Sequence, residues 1–407
     1  MIPPVTGRVV LVVNNFPPVR GGSAVVYANL ARCAGERMIV IAPRLGYNDG
    51  LPLIGWREHD RHKPYRMIRL GLLRTRMRLD PPRGLVRLSF LASDVFLRVR
   101  LACVLLWLVL RHRVRAICIG ELTASAWIVN IFGWLPGIRT LAYVHGEEIT
   151  TEDLYDPGHH RAHRALLACD TIVVVSRFTE RAVAALLGSR AGQRIRLIEN
   201  GVDTARFTPS AKAGDLLDVY GLRGRFVFVS VCRLLEKKGI DNTLRAFARL
   251  RGKLPDCRYL VVGGGPYRGA LEKLAHDLEL GTDVVFAGQV ADDELVDHYR
   301  LGDVFVMPNR ELPNGDTEGF GLVFLEANGC GLPVIAGQDG GSTDAVSDGV
   351  NGLVVDGKSV DAIAGAMQRL HDDAGLRLQL RTLGLQAAAA AGWAEKTETF
   401  LALCTEK

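Results

Sequence analysis

The sequence predicts an α/β protein made of two doubly wound, parallel-sheet domains. Three observations point there. The chain has 407 residues, too many for one ordinary core. Short, continuous Val/Ile-rich runs recur along it, as expected of parallel strands covered by helices on both faces. Segments with helical periodicity alternate with those runs.

In chain order the strand-like runs of the first half are RVVLVVNN, RMIVIAP, AICIG, TLAYVHG, TIVVVS and IRLIENG. After Gly201 come FVFVSVCR, RYLVVGGG, VVFAGQV, VFVMPN, PVIAG and GLVV. Between them SAVVYANLARCA, ERAVAALLG, IDNTLRAFARLRGKL, ALEKLAHDLEL and DAIAGAMQRLHDD read as helices. The crossing falls near ENGVDTARFTP, which places a first domain over residues 1–199 and a second over 200–389. The end, AGWAEKTETFLALC, reads as an amphipathic helix, and residues 390–407 are expected to pack back on the first domain.

Composition narrows the class. Hydrophobic residues make up 48% and charged ones 23%, close to globular averages. Eight cysteines are scattered without CxxC or His/Cys ligand spacing, so a reduced, cytoplasmic chain is expected rather than a disulfide scaffold. The N-terminal stretch lacks a basic region and a cleavage site and reads as a first strand. The longest apolar run, LACVLLWLVL, is about half of a bilayer span. Net charge is +6, yet residues 57–115 hold 15 Lys/Arg against 4 Asp/Glu. Such a patch suits an anionic lipid surface, a phosphorylated acceptor or nucleic acid, or is simply a solvated face.

Ligands of doubly wound sheets sit at the carboxyl ends of the strands, so the post-strand loops of both halves are the candidates. Gly21 and Gly22 open a helix where a backbone can approach an anion closely. In VVGGGPYRGALEKL, Gly263 and Gly265 fit a dinucleotide fingerprint, but Arg268 stands where its third glycine belongs. Arg233 ends a strand and Lys238 follows it before Gly239 and a helix, a fork and an ammonium suited to a diphosphate. His145 follows an apolar strand beside Glu147 and Glu148, placed to donate to a hydroxyl or shuttle a proton.

The stretch NGDTEGFGLVFLEANGCG holds Glu318 at the mouth of a helix expected from Gly319–Gly321, and Glu326 within its apolar run. Eight helical residues rise about 12 Å, too far for a pair that must flank one glycosidic bond within about 5–9.5 Å. One glutamate at each of two separated groups of an extended ligand fits better. Helical phase turns Glu326 back towards the free amides of Gly319, Phe320 and Gly321.

Glu318, seven residues, then Glu326, set in EGFGLVFLEANGCGLPVIAG, resembles the signature of retaining family-four glycosyltransferases with the GT-B fold, which include bacterial hexosyltransferases of glycolipid and polysaccharide synthesis. Similar matches run in family order through the Gly21-Gly22 loop, HGEE, VVSRFT, NGVDTARFTP, RLLEKKG, VGGGP, FAGQV and GVNGLVV. The resemblance implies two facing Rossmann-like domains, an acceptor-binding first and a nucleotide-sugar-binding second, and transfer of a hexose from a UDP- or GDP-linked donor with retention. It also implies site residues. Arg233 and Lys238 would hold the diphosphate, with Gly21 and Gly22 near it. Glu326 would accept the ribose hydroxyls. Glu318 and the amides of Gly319, Phe320, Gly321 and Leu322 would grip the sugar, with His145 beside it. The base would lie against the loops around Gly264 and around Gly288 and Gln289.

No Asp-x-Asp stands beside the clamp, and Asp292-Asp293 reads as a helix cap, so neither metal nor other cofactor is expected. The expected partners are the nucleotide sugar, a glycan or lipid-linked acceptor and an anionic membrane surface met by residues 57–115, with no nucleic acid. The location implied is the inner face of the cell membrane. The rival readings are an enzyme with a soluble small-molecule acceptor, a catalytically silent membrane-binding protein, a nucleic-acid binder, and a dehydrogenase, which would leave the Arg/Lys clamp unexplained.

Overall fold

A computed structural model describes residues 7–76, 84–151 and 156–406. Arg78, Asp80 and Arg83 of the basic region lie outside them. The chain forms two units: residues 1–175, 179–198 and 393–407 in one, 176–178 and 199–392 in the other.

In unit 1 the strands are β1 (Arg8–Val12), β2 (Met38–Pro43), β3 (Arg66–Leu70), β4 (Val114–Ile119), β5 (Arg139–Val144), β6 (Thr171–Val174) and β7 (Ile195–Leu197). They form a sheet ordered β3-β2-β1-β4-β5-β6-β7 whose pairs are all parallel. The principal helices are α1 (Gly22–Ala34), α2 (Gly84–His112), α3 (Leu122–Phe132), α4 (His160–Ala168) and α5 (Arg177–Leu187). In unit 2, β8 (Phe226–Val231), β9 (Cys257–Val262), β10 (Val284–Gly288), β11 (Val304–Met307), β12 (Val334–Gly337) and β13 (Gly352–Val355) form a parallel sheet ordered β10-β9-β8-β11-β12-β13. Its principal helices are α6 (Ile240–Leu250), α7 (Arg268–Asp277), α8 (Leu295–Arg300), α9 (Leu322–Gly329), α10 (Val360–Asp372) and α11 (Ala374–Ala390), and α12 (Trp393–Leu403) ends the chain in unit 1.

The inner strands are buried along nearly their whole length, with Val9 to Val13, Ile39 to Ala42 and Leu260 to Val262 at 0–1% exposure. Both faces of each sheet are therefore covered, which is why these strands read as unbroken apolar runs. β3 was not among the expected strands. Its sequence, RMIRL, places Arg66 and Arg69 within a short apolar run, which an edge strand tolerates. Also unanticipated was α2, a 29-residue helix whose last third is the apolar run 101–110.

Both sheets reverse direction of growth once, between β1 and β4 and between β8 and β11. At such a switch point adjacent loops part and leave a crevice at the carboxyl edge. Helix α12 closes unit 1 against α1. Arg37 makes a bidentate pair with Glu398 at 2.5 and 2.8 Å, and the fully buried Phe400 lies 5.9 Å from the Tyr143 ring. Phe400→Ala is expected to lower stability by about 3–5 kcal/mol through the cavity it leaves, as read by denaturant unfolding.

Candidate functional site

In unit 2 the switch-point loops carry the predicted cations and carboxylates. Arg233 leaves β8 with its side chain exposed. Lys238 follows one short turn later and forms an ion pair with Glu318, on the loop after β11. Both side chains are mostly buried, 13% and 14% exposed. Burial pushes the Glu318 carboxyl up, but the Lys238 ammonium, helped by Lys237 and the Phe320 amide, more than reverses this and holds it below the usual range. Next to the pair, buried Lys237 donates to Asp316 at 2.6 Å and to the Thr317 carbonyl at 3.0 Å. Two lysines thus pin the loop that presents Glu318.

Helix α9 begins at Leu322, not at Gly319–Gly321, because Gly321 sits in the left-handed region at φ 88° as its N-cap. A Cβ there would lie 2.6 Å from the Phe324 ring. Glu318 is consequently a loop residue, and the helical rise expected between it and Glu326 does not apply. Nor do the amides at the helix start satisfy Glu326. Its carboxylate accepts a 2.7 Å hydrogen bond from the Tyr299 hydroxyl on α8. Burial pushes Glu326 up and the Tyr299 bond offsets only part of it. Tyr299 was invisible in sequence, since the helix end LVDHYRLG carries no motif; only burial of both partners identifies it.

The remaining residues expected to meet the donor cluster by backbone contacts. The Leu234 amide donates to the Gly264 carbonyl at 2.9 Å, and the Gly263 amide to the Gly288 carbonyl at 2.7 Å, so the loops after β8, β9 and β10 run side by side with Gln289 exposed at their edge. The Gly341 amide donates to the Glu318 carbonyl at 2.7 Å, and a Cβ on Gly341 would lie 2.0 Å from the Gly319 carbonyl oxygen, so only glycine allows this approach. Buried beside Glu318, the Thr317 Oγ1 has no partner among the described residues. Asp292 does not cap α8: it pairs with Arg206 at 3.1 Å, and the cap position is Glu294. One grouping of three metal-capable side chains occurs among the described residues, Asp256, Cys257 and His371, at the amino end of β9 and so opposite the loops above.

Unit 1 has its own polar cluster at the β1/β4 switch point. Asn14 Nδ2 donates to Glu121 at 2.6 Å, and Arg74 approaches Glu121 at 3.6 Å. Tyr27 on α1 donates to the Gly120 carbonyl at 3.1 Å and meets the His145 ring edge-on at 5.1 Å. Buried Asn14 Oδ1 and His145 Nε2 lack partners among the described residues. Burial lowers the His145 pKa to about 4, so it is a neutral imidazole at pH 7. Glu148 accepts from the Gly146 amide at 2.9 Å, and burial raises it to about 8. Gly21 and Gly22 stand exposed at the start of α1. Asn14 and Glu121 were not singled out in sequence, because a lone Asn and Glu after strands gain meaning only once β1 and β4 are neighbours.

Two expectations follow. Tyr299→Phe removes the Glu326 donor, raises that carboxyl further and costs about 1–3 kcal/mol, measurable by denaturant unfolding and by carboxyl titration in NMR. His145 is depressed from its ordinary value of about 6.5 to about 4, so the unfolded chain binds its proton first. Stability from this group is present above about pH 6.5 and falls as pH drops towards 4. His145→Gln should flatten that stretch of the stability–pH curve, and an imidazole titrating near 6.5 in the folded protein would refute it.

Comparisons with known proteins give the family. Residues 20–206 match the family described as Glycosyltransferase Family 4, and residues 219–385 the one described as Glycosyl transferases group 1. The GDP-mannose-dependent alpha-(1-6)-phosphatidylinositol monomannoside mannosyltransferase of Mycolicibacterium smegmatis is 33% identical over 374 residues, 89% of each chain. A D-inositol 3-phosphate glycosyltransferase of Acidothermus cellulolyticus is 35% identical over 275 residues, 64% of this chain and 58% of that one. Among solved structures, Anabaena HepE in complex with UDP and glucose superposes with a TM-score of 0.76 at 19% identity, covering 99% of this chain and all of that one, which speaks to the fold. With two parallel α/β units and both family matches spanning them, the chain belongs to the family-four glycosyltransferases of GT-B fold.

Proposed function

We propose that this glycosyltransferase moves a mannosyl residue from GDP-mannose to a hydroxyl of a phosphatidylinositol-type glycolipid, with retention of configuration. The observation that carries the transfer reading is an exposed arginine beside a lysine that pairs with a glutamate across the switch point, with a second buried carboxylate held by Tyr299. Donor and acceptor rest on the mycobacterial mannosyltransferase relative, which matches along nearly nine-tenths of the chain.

In this reading Arg233 and Lys238 take the diphosphate, and Glu326, already accepting from Tyr299, has lone pairs left for the ribose hydroxyls. Glu318, kept ionised by Lys238, accepts from the sugar hydroxyls, and the amides from Gly319 to Leu322 line the same loop. The bond from the anomeric carbon to the phosphate oxygen breaks, the acceptor oxygen bonds on the same face, and the leaving phosphate takes the acceptor's proton. Arg233 and Lys238 stabilise the charge that develops on that phosphate. Acceptor hydroxyls are assigned to unit 1, where Asn14 Oδ1, Glu121 and the neutral His145 offer acceptors and a donor. His145 hydrogen-bonds rather than protonates, given its low pKa. Neither a metal nor another cofactor has a role, since the two cations supply the charge neutralisation.

A second reading is a soluble inositol phosphate acceptor, favoured by the shorter match to the D-inositol 3-phosphate glycosyltransferase. Mannose transfer assayed in parallel with the lipid and the soluble acceptor separates the two. Arg233→Ala is expected to cut kcat about 10²–10³-fold, and a wild-type rate would refute the clamp. Glu326→Ala should weaken GDP-mannose binding in calorimetry and leave acceptor KM unchanged. Thermal shifts with GDP, UDP and ADP are expected to rank GDP first, and full activity should persist in EDTA.

A further inference from the structure

Four neighbouring strands of the first sheet begin at an arginine or directly after one: Arg66 at β3, Arg37 before β2, Arg8 at β1 and Arg113 before β4. The strands are parallel, so these arginines gather at the amino edge, opposite the switch-point loops. Helix α2 ends there too, at Arg111 and His112. A cavity of about 400 Å³ opens at this edge, and its polar lining is Arg8, Glu36, Arg37, Arg111, His112 and Arg113. Its donors outnumber their partners. Arg8 Nη1 lies 3.1 Å from His112 Nδ1, and Arg66 Nη1 lies 2.7 Å from His112 Nε2. A neutral imidazole has one acceptor nitrogen and a protonated one has none. At least one guanidinium N–H therefore faces another N–H. Desolvation, then the charges of Arg66, Arg8 and Arg111, lower the His112 pKa. Arg37 is answered by Glu398, but Arg8, Arg66, Arg111 and Arg113 make no ion pair among the described residues. Against those four stand Glu36 and the carbonyl end of α2, worth about half a charge. The excess, about 2.5 positive charges, is close to what a phosphate monoester of about −1.5 to −2 would neutralise. Arg113 also holds φ 51° just after a helix, where glycine is the usual residue. An arginine stands there at a conformational cost.

We propose that this amino-edge cavity binds a soluble phosphate ester of a polyol, whose phosphate oxygens accept from Arg8, Arg111 and Arg113. His112, now set between two guanidiniums, becomes a further donor to the same phosphate. A phosphate offers three strong acceptor oxygens, and guanidinium forks take them in pairs. Glu36, the one carboxylate of the lining, decides between a small ligand and a lipid surface. A sheet of headgroups would press its phosphates against that carboxylate, whereas a small polyol ester can turn a hydroxyl to it. The site lies at the sheet edge opposite His145, Asn14 and Glu121, so it goes beyond the transfer reading and does not depend on it.

The test titrates glycerol 3-phosphate into the full chain with saturating GDP present, so that the loops proposed to hold a diphosphate do not report. Trp107 is the optical probe, since the His112 ring lies 5.0 Å from its ring and Arg66 Cζ 5.2 Å. Expected is a saturable change in emission that weakens with salt and is lost in Trp107→Phe. The His112 titration point read by NMR should rise with ligand bound, because binding and protonation are reciprocally linked. Arg8→Gln and Arg113→Gly should each weaken binding about tenfold and leave the thermal shift with GDP in place. Arg113→Gly should also raise the melting temperature, since glycine adopts positive φ freely. Weaker binding by a more stable protein is a result that a structural role for Arg113 would not give. No saturable change, or wild-type affinity in the double variant, overturns the site. Vesicles containing phosphatidylglycerol that displace the ester through Arg8 and Arg113 would assign the cluster to a lipid headgroup and overturn the soluble ligand.

Discussion

The electrostatics of the unit 2 switch-point loops depend on one ion pair, Lys238 with Glu318. It joins the loop after β8 to the loop after β11, the two strands between which the second sheet changes direction. A buried carboxylate without a counter-charge would take up a proton. With the lysine beside it, Glu318 stays ionised, and the lysine is held at the crevice instead of extending into solvent. Breaking such a pair by removing one partner costs more than the pair is worth, because the other charge is left stranded. The cation proposed to stabilise the leaving group and the carboxylate proposed to hold the sugar therefore position each other.

Glu326 has the opposite solution to the same problem. Among the described residues its hydrogen bond comes from the Tyr299 hydroxyl; that bond, with the Arg206 charge, offsets only part of the burial, and its pKa remains raised. A carboxylate with one neutral donor and unfilled lone pairs is ready to accept from further hydroxyl groups. Two glutamates eight positions apart thus differ in chemistry because one faces a lysine and the other a tyrosine. Unit 1 repeats the theme at its own switch point, where Asn14 and Glu121 bridge β1 and β4 and a buried, neutral His145 has a nitrogen without a partner among the described residues.

Parallel topology explains both arrangements. Every strand of each sheet ends at the same edge, so all post-strand loops gather there, while the helices that cover the faces keep the strands dry. Arg233, Lys238, Glu318 and Gly264 come from three different crossovers and meet only for that reason. The outward face of α2 is the exception to the covered surfaces. Its inner stripe serves the core, and its outer stripe has no counterpart within the described residues of the chain.

By itself the sequence determined the α/β class, twelve of the thirteen strands and the loops that carry Arg233, Lys238, Glu318 and His145, because buried parallel strands are apolar at every position and punctuated by glycine. Edge strand β3 escaped, since two of its five residues are arginines, one exposed and one paired with Asp60, and α2 escaped because a helix apolar on two opposite faces has no clear period. Only the tertiary structure decided what satisfies the two glutamates. Gly321 stops α9 short of Glu318, Lys238 arrives from 80 residues away in sequence, and Tyr299 from 27. Those partners are chosen by which strands lie side by side, and strand order is a property of the packed sheet that no local run of residues encodes.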